Sequence, residues 1–197
     1  MSITTISDNL FLSGFREAKN QDLINTYNID IIINVAANCD YKCSDNVVIK
    51  KYNLTDDNIC DISIYFDEIA DYINENINNN KNILVHCHLG KSRSVSFILA
   101  YLMKYKNMTL QESYNHISKM RHIRPNLSFV NMLINYETKL YGSSDFDLND
   151  YTITLIMFTY NIKKKQRSNV SKIFKSCNNN YDDAIKTLIE QKIVSNI

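Results

Sequence analysis

Two short apolar runs constrain this chain most. Residues 30–35 read Asp-Ile-Ile-Ile-Asn-Val and residues 82–86 read Asn-Ile-Leu-Val-His. A strand wet on one face alternates polar and apolar residues, whereas an unbroken apolar run fits a strand covered on both faces. Two such strands predict a parallel or mixed sheet between layers of helix, and residues 47–52 are a weaker third candidate. Helical patterns separate them. Phe66, Ile69, Ala70, Ile73 and Ile77 form one stripe over residues 62–77. Residues 94–106 are strongly apolar, Thr109 and Glu112 form a capping box opening a helix to about Met120, and residues 129–140 give another helix after Pro125. The expected class is α/β, with a central mixed, mostly parallel twisted sheet flanked by helices through about residue 141.

Composition narrows the rest. The 197 residues include 3 Gly and 1 Pro, which excludes collagen-like, linker-rich and Pro-rich disordered classes. A net charge of +1 gives no reason to expect nucleic acid as a partner. No apolar run approaches the ~18 residues of a membrane span, and residues 1–12 lack the pattern of a secretory signal. Five cysteines without repeated spacing fit free thiols in a reducing, cytoplasmic setting, with nuclear entry left open. Cys39 and Cys43 have no second pair to complete a zinc site, and His116 and His122 have no ligand spacing.

The chemistry lies in Val85-His86-Cys87-His88-Leu89-Gly90-Lys91-Ser92-Arg93-Ser94, which joins a buried strand to an apolar helix. Backbone N–H groups from His88 to Arg93 can curl into a concave nest at the helix N-terminus, a natural anion site. Gly90 lets the backbone approach that anion without a Cβ, and Arg93 offers a planar fork to two phosphoryl oxygens. The nest favours the thiolate of Cys87, and a thiolate beneath a bound phosphoryl group is an in-line nucleophile. A cysteine after a buried strand is more often a small core residue. The combined order of strand, His-Cys, Gly at the third place after Cys, Arg at the sixth, Ser at the seventh and helix outweighs that reading.

His86-Cys87-x5-Arg93-Ser94 resembles the signature loop of the dual-specificity branch of cysteine-dependent protein tyrosine phosphatases. Ala100-Tyr101-Leu102-Met103, Pro125-Asn126 with Phe129, and Tyr136-Glu137 near Leu140 resemble further family patterns, as do Leu10–Gly14 with Ala18 and Ile29-Asp30 with Ile33–Ala36. The resemblance spans about residues 1–141. It implies a phosphocysteine intermediate on Cys87, with Arg93 and the loop amides of His88, Leu89, Gly90, Lys91 and Ser92 binding the phosphoryl oxygens. It further implies that Ser94 helps Cys87 leave, that His86 supports the thiolate from behind, and that no metal or organic cofactor is needed. The leaving oxygen needs a general acid. The family places an aspartate on a loop before a helix; the five-residue step back from Asp61 selects Asp56, with Asp57 as the alternative and Asp61 as a cap. The implied substrate is a phosphorylated protein bearing phosphotyrosine or phosphoserine/threonine.

Two positions depart from the family. Leu89 stands where a small residue is usual, and Lys91 where many relatives are uncharged. Lys91 keeps a phosphoinositide or RNA 5′-phosphate substrate in view, and a non-catalytic phosphoprotein-binding scaffold is the third reading. Residues 142–148 look like a linker beginning at a Gly142 cap. Residues 149–197 carry three helical patterns with Ile153, Leu155, Ile156, Val170, Ile173, Phe174, Ala184, Ile185 and Leu188 as their expected core. Ile153–Met157, Asn161, Asn178–Asn180, Ala184-Ile185 and Leu188 resemble a ubiquitin-associated-like module, nearest to that ending the nascent-polypeptide-associated complex alpha subunit. That implies a ubiquitin-like or ribosome-associated partner; a helical appendage of the first domain is the alternative. Lys163–Lys165 with Arg167 read most simply as a solvated interhelical loop.

Overall fold

The computed structural model describes residues 2–191 and 193–194. Its chain forms two compact units, residues 1–146 and 147–197. In the first unit the strands are β1 (Thr4–Ser7), β2 (Leu10–Ser13), β3 (Ile31–Asn34), β4 (Val48–Lys51) and β5 (Ile83–His86). The helices are α1 (Phe15–Ala18), α2 (Gln21–Thr26), α3 (Phe66–Asn78), α4 (Arg93–Lys106), α5 (Leu110–Ser118) and α6 (Leu127–Tyr141). The sheet order is β1-β2-β5-β3-β4, antiparallel between β1 and β2 and parallel elsewhere. This is the mixed, mostly parallel α/β architecture expected from the apolar runs.

The side-chain period of two explains why those runs do not alternate. Leu10, Leu12, Ile31, Ile33, Ile83 and Val85 join one core with residues of α3, α4 and α6. Phe11, Ile32 and Leu84 enter a second core with Ala18, Ile24 and Ile29. Every residue of β2, β3 and β5 is therefore buried. β4 lies at the sheet edge and carries Lys50 and Lys51, charges that discourage edge-to-edge pairing.

α4 is buried from Arg93 through Met103, so it runs through the centre of the unit. Thr109 and Glu112 form the expected capping box of α5. The buried Glu137 accepts from Leu110 N at 2.6 Å and from Ser144 Oγ, tying α6 and its exit to the start of α5. The stripe over residues 62–77 is divided: a 3-10 turn at Ser63–Tyr65 precedes α3, with Asp61 accepting from Ser63 N at 2.9 Å. Gly142 closes α6 at φ +86°. Among the described residues the other left-handed positions, Gly90 aside, are all asparagine: Asn28, Asn38, Asn80, Asn107, Asn161, Asn178 and Asn179. Asparagine tolerates this region better than other residues bearing a Cβ.

The second unit contains α7 (Leu148–Thr159), α8 (Arg167–Ser176) and α9 (Tyr181–Glu190), with a 3-10 turn at Lys164–Gln166. Its core joins Ile153, Ile156, Met157, Ile162, Val170, Ile173, Phe174, Ala184, Ile185 and Leu188. Leu155 is outside that core, contrary to expectation. Positions 153, 156, 157 and 160 follow the helical i, i+3, i+4, i+7 spacing, which leaves position 155 off the stripe and gives its place to Met157.

Candidate active site

The turn from β5 to α4 is shaped from outside. His86 O accepts from Val35 N at 3.0 Å, and His88 O from Phe15 N at 3.0 Å. Leu89 O accepts from Arg121 Nη2 at 3.1 Å, Gly90 O from Arg121 Nε at 2.8 Å, and Lys91 O from Arg124 N at 2.8 Å. In a trans peptide the C=O of one residue points opposite to the N–H of the next. Four consecutive carbonyls held on the outer side therefore turn the N–H groups of Leu89, Gly90, Lys91 and Ser92 inward. The Gly90 N–H shows this directly, donating to Cys87 Sγ at 3.2 Å.

Gly90 has φ +66°, the left-handed step that lets successive amides face one side. A Cβ there would lie 2.3 Å from Ser13 O and 2.7 Å from Arg121 Nη2. Glycine is thus fixed by both backbone angle and space. The start of α4 adds to the nest: Ser92, at its N-cap, makes no side-chain cap. Its hydroxyl instead donates to Asp56 Oδ1 at 2.8 Å and accepts from Asn126 N at 3.2 Å.

Cys87 is buried, and its sulfur accepts from Ser94 Oγ at 3.2 Å as well as from Gly90 N. Arg93 is 8% exposed; its Nη1 donates to Leu54 O at 2.7 Å and its Nε to Asp56 Oδ2 at 3.3 Å. Asn126 Nδ2 donates to Asp56 Oδ1 at 3.0 Å. A sulfur, a guanidinium, a ring of amides and a carboxylate thus meet at the helix start, a set suited to a tetrahedral oxyanion.

Asp57 is turned to its own loop, accepting from Ile59 N at 3.0 Å and Cys60 N at 2.8 Å. Its carboxyl is held below the usual range, first by the Thr55 side chain and then by those amides. His86 Nδ1 lies 3.1 Å from Cys87 O, which can only accept, so Nδ1 carries the proton and Nε2 accepts from Tyr41 OH at 2.7 Å. Burial, with a lesser effect of Arg93 and against the bond to Cys87 O, pushes His86 down to about 4. Burial also raises the Tyr41 phenol, so it stays protonated and able to donate. His86 is neutral near pH 7, holding Cys87 through its carbonyl rather than supplying charge.

Residues 10–139 match the family described as dual specificity phosphatase, catalytic domain. The chain belongs to this family. It is 34% identical over 142 residues to dual specificity protein phosphatase 1 of Arabidopsis thaliana, covering 72% of each chain. It is 37% identical over 143 residues to dual specificity protein phosphatase 14 of Mus musculus, again covering 72% of each. The fold is similar to that of human tyrosine phosphatase-like serine/threonine/tyrosine-interacting protein, with TM-score 0.67 and 23% identity over 70% of this chain and 97% of that one. Human DUSP28 gives TM-score 0.68 at 21% identity, covering 71% and 95%. This dual-specificity protein phosphatase is a phosphoric monoester hydrolase.

The phosphatase brings Cys87, Arg93, Ser94, Ser92, His86 and Asp56 together as one cluster. His88 and Leu89 stand exposed at the rim, with Leu89 52% exposed, and Lys91 is half-buried. Three contributors escaped the sequence reading. Arg121 and Tyr41 carry no local signal, and Phe15, stacked on the His86 and His88 rings, opens the short α1, distant in sequence. Asn126 was visible only as half of the Pro-Asn pair.

Proposed function

We propose that this phosphatase hydrolyses phosphotyrosine and phosphoserine/threonine in proteins through a phosphocysteine on Cys87. The thiolate attacks phosphorus as the phosphorus–oxygen bond to the substrate breaks. Asp56 delivers a proton to the departing oxygen, then takes one from the water that attacks phosphocysteine. Arg93 and the inward amides stabilise the equatorial oxygens, and Ser94 assists the return of sulfur as leaving group. The observation that carries this reading is the double donation of Gly90 N and Ser94 Oγ to Cys87 Sγ, both at 3.2 Å. Asp57 is turned onto the Ile59 and Cys60 amides of its own loop, whereas Asp56 stands beside Ser92 and Arg93.

The test is hydrolysis of p-nitrophenyl phosphate and of phosphotyrosyl and phosphothreonyl peptides. Cys87→Ser should abolish phosphate release while retaining phosphopeptide binding. Phosphate release by Cys87→Ser at the wild-type rate would overturn the mechanism. A preference for phosphoinositides or RNA 5′-phosphates over every phosphopeptide would overturn the substrate class.

For the second unit we propose a ubiquitin-associated-like role, supported by the three-helix core of α7, α8 and α9 and by the sequence resemblance. Titration of the full chain with ubiquitin should show saturable binding, diminished by substitutions at exposed positions of this unit. No binding at millimolar ubiquitin would remove a ubiquitin partner.

A further inference from the structure

Arg121 follows α5 and takes no part in the chemistry above, yet its guanidinium bridges two parts of the fold. Nη2 holds Leu89 O, Nε holds Gly90 O, and Nη1 donates to Ser2 O at 3.0 Å and Thr4 Oγ1 at 3.2 Å. We propose that Arg121 is a positioning residue for phosphoryl binding: it fastens two peptides of the loop to the β1 edge and so keeps the Gly90 and Lys91 N–H groups aimed into the pocket. This rests on reading residues 87–93 as the phosphoryl site.

The peptide joining Leu89 to Gly90 is restrained most directly. Its oxygen is held by Arg121 Nη2 and its N–H donates to Cys87 Sγ, so one planar unit is fixed at both ends. A charge-assisted bond to the oxygen also polarises the N–H at the other end. The next peptide is held the same way by Nε, turning the Lys91 N–H to the same side. Released from Arg121, either peptide can rotate and present a carbonyl oxygen to the pocket, which repels a phosphoryl oxygen. Three nitrogens of one planar fork serve separate acceptors, a pattern that lysine's single nitrogen cannot reproduce. Burial opposes the charge on Arg121, whereas Glu17 and Cys87 favour it.

Arg121→Gln, Arg121→Lys and Thr4→Val are assayed in the full chain with p-nitrophenyl phosphate. Inorganic phosphate serves as competitive inhibitor, and thermal melts are run alongside. Arg121→Gln should raise the phosphate inhibition constant at least about tenfold and lower kcat/KM about 10²-fold, since preorganised donors matter most in the transition state. Arg121→Lys should fall between Gln and wild type, and Thr4→Val should shift both quantities about twofold in the same direction. If Arg121→Gln does not fold, Arg121→Lys and Thr4→Val decide the matter. The proposal is overturned if the folded variants bind phosphate and turn over within measurement error of wild type, or if activity merely tracks the folded fraction. A dead Cys87→Ser beside an unimpaired Arg121→Gln would sink this inference alone; an active Cys87→Ser would sink the site reading itself.

Discussion

The phosphate loop, residues 86–93, and the acid loop, residues 55–62, meet at Asp56 but are built on opposite plans. The phosphate loop is held from elsewhere: the residue after β3, the first residue of α1 and the segment after α5 each contribute donors to its carbonyls. The acid loop is held largely by its own side chains, Asp57 closing on Ile59 and Cys60 and Asp61 on Ser63. Thr55 through Ile59 are exposed, and Ile59 is 93% exposed. A site for a multiply charged group gains most from donors fixed in advance, because reorientation during the reaction would cost free energy. A proton donor needs one carboxyl within reach and tolerates a looser frame.

Gly90→Ala should have the largest effect, because the added methyl meets Ser13 O in a backbone conformation that disfavours any Cβ. We expect kcat/KM to fall about 10³-fold, the scale of losing preorganised donors, and steady-state kinetics on a folded sample will check it. Near-wild-type activity would show that the phosphate loop adapts after all. Asp56→Asn should lower turnover of phosphothreonyl peptide about 10²-fold, the lower end of what general acid catalysis supplies. The loss should be smaller with p-nitrophenyl phosphate, whose leaving group needs little proton assistance. Asp57→Asn should stay within a few fold on both substrates; the reverse order would exchange the roles of the two aspartates.

The pH dependence of stability separates the loops further. His86 is neutral in the folded chain down to about 4, while an unfolded histidine takes up its proton near 6.5. Between these values the unfolded state binds the additional proton, so stability falls as pH drops from about 6.5 toward about 4. The loss is on the order of 3 kcal/mol, read by urea melts across that range, and His86→Gln should flatten the slope. An unchanged slope would mean that this histidine is not held neutral behind Cys87. Gly142→Asn should do least. Nothing lies within 4 Å of its notional Cβ, and asparagine already occupies seven comparable backbone positions. A cost under about 1 kcal/mol in a thermal melt would distinguish this glycine from Gly90.

Local pattern carried much of the architecture and part of the site. β3 and β5 announce themselves because burial on both faces removes alternation, and α4 because its apolar residues surround the axis. β1, Thr-Thr-Ile-Ser, is polar and short, and α2 spans 6 residues, so neither produces a period. Cys87, Gly90, Arg93 and Ser94 are legible because one turn holds them all. The resemblance pointed to Asp56 by its step back from Asp61. The donors to the loop's carbonyls were not legible: Phe15 and Arg124 act through backbone N–H groups, which any residue except proline offers. Arg121 looks like any basic residue after a helix until its acceptors are seen.

The left-handed asparagines bear on the unfolded chain as well as the folded one. A glycine at each would relax the native backbone but widen the unfolded ensemble; asparagine reverses both effects, and the opposing contributions are each of order 1 kcal/mol or less. Asn28, Asn80, Asn107 and their counterparts are thus near-balanced points where sequence can drift between two residue types with little change in stability. Gly90 has no such freedom, because its alternative is excluded by volume as well as by torsion.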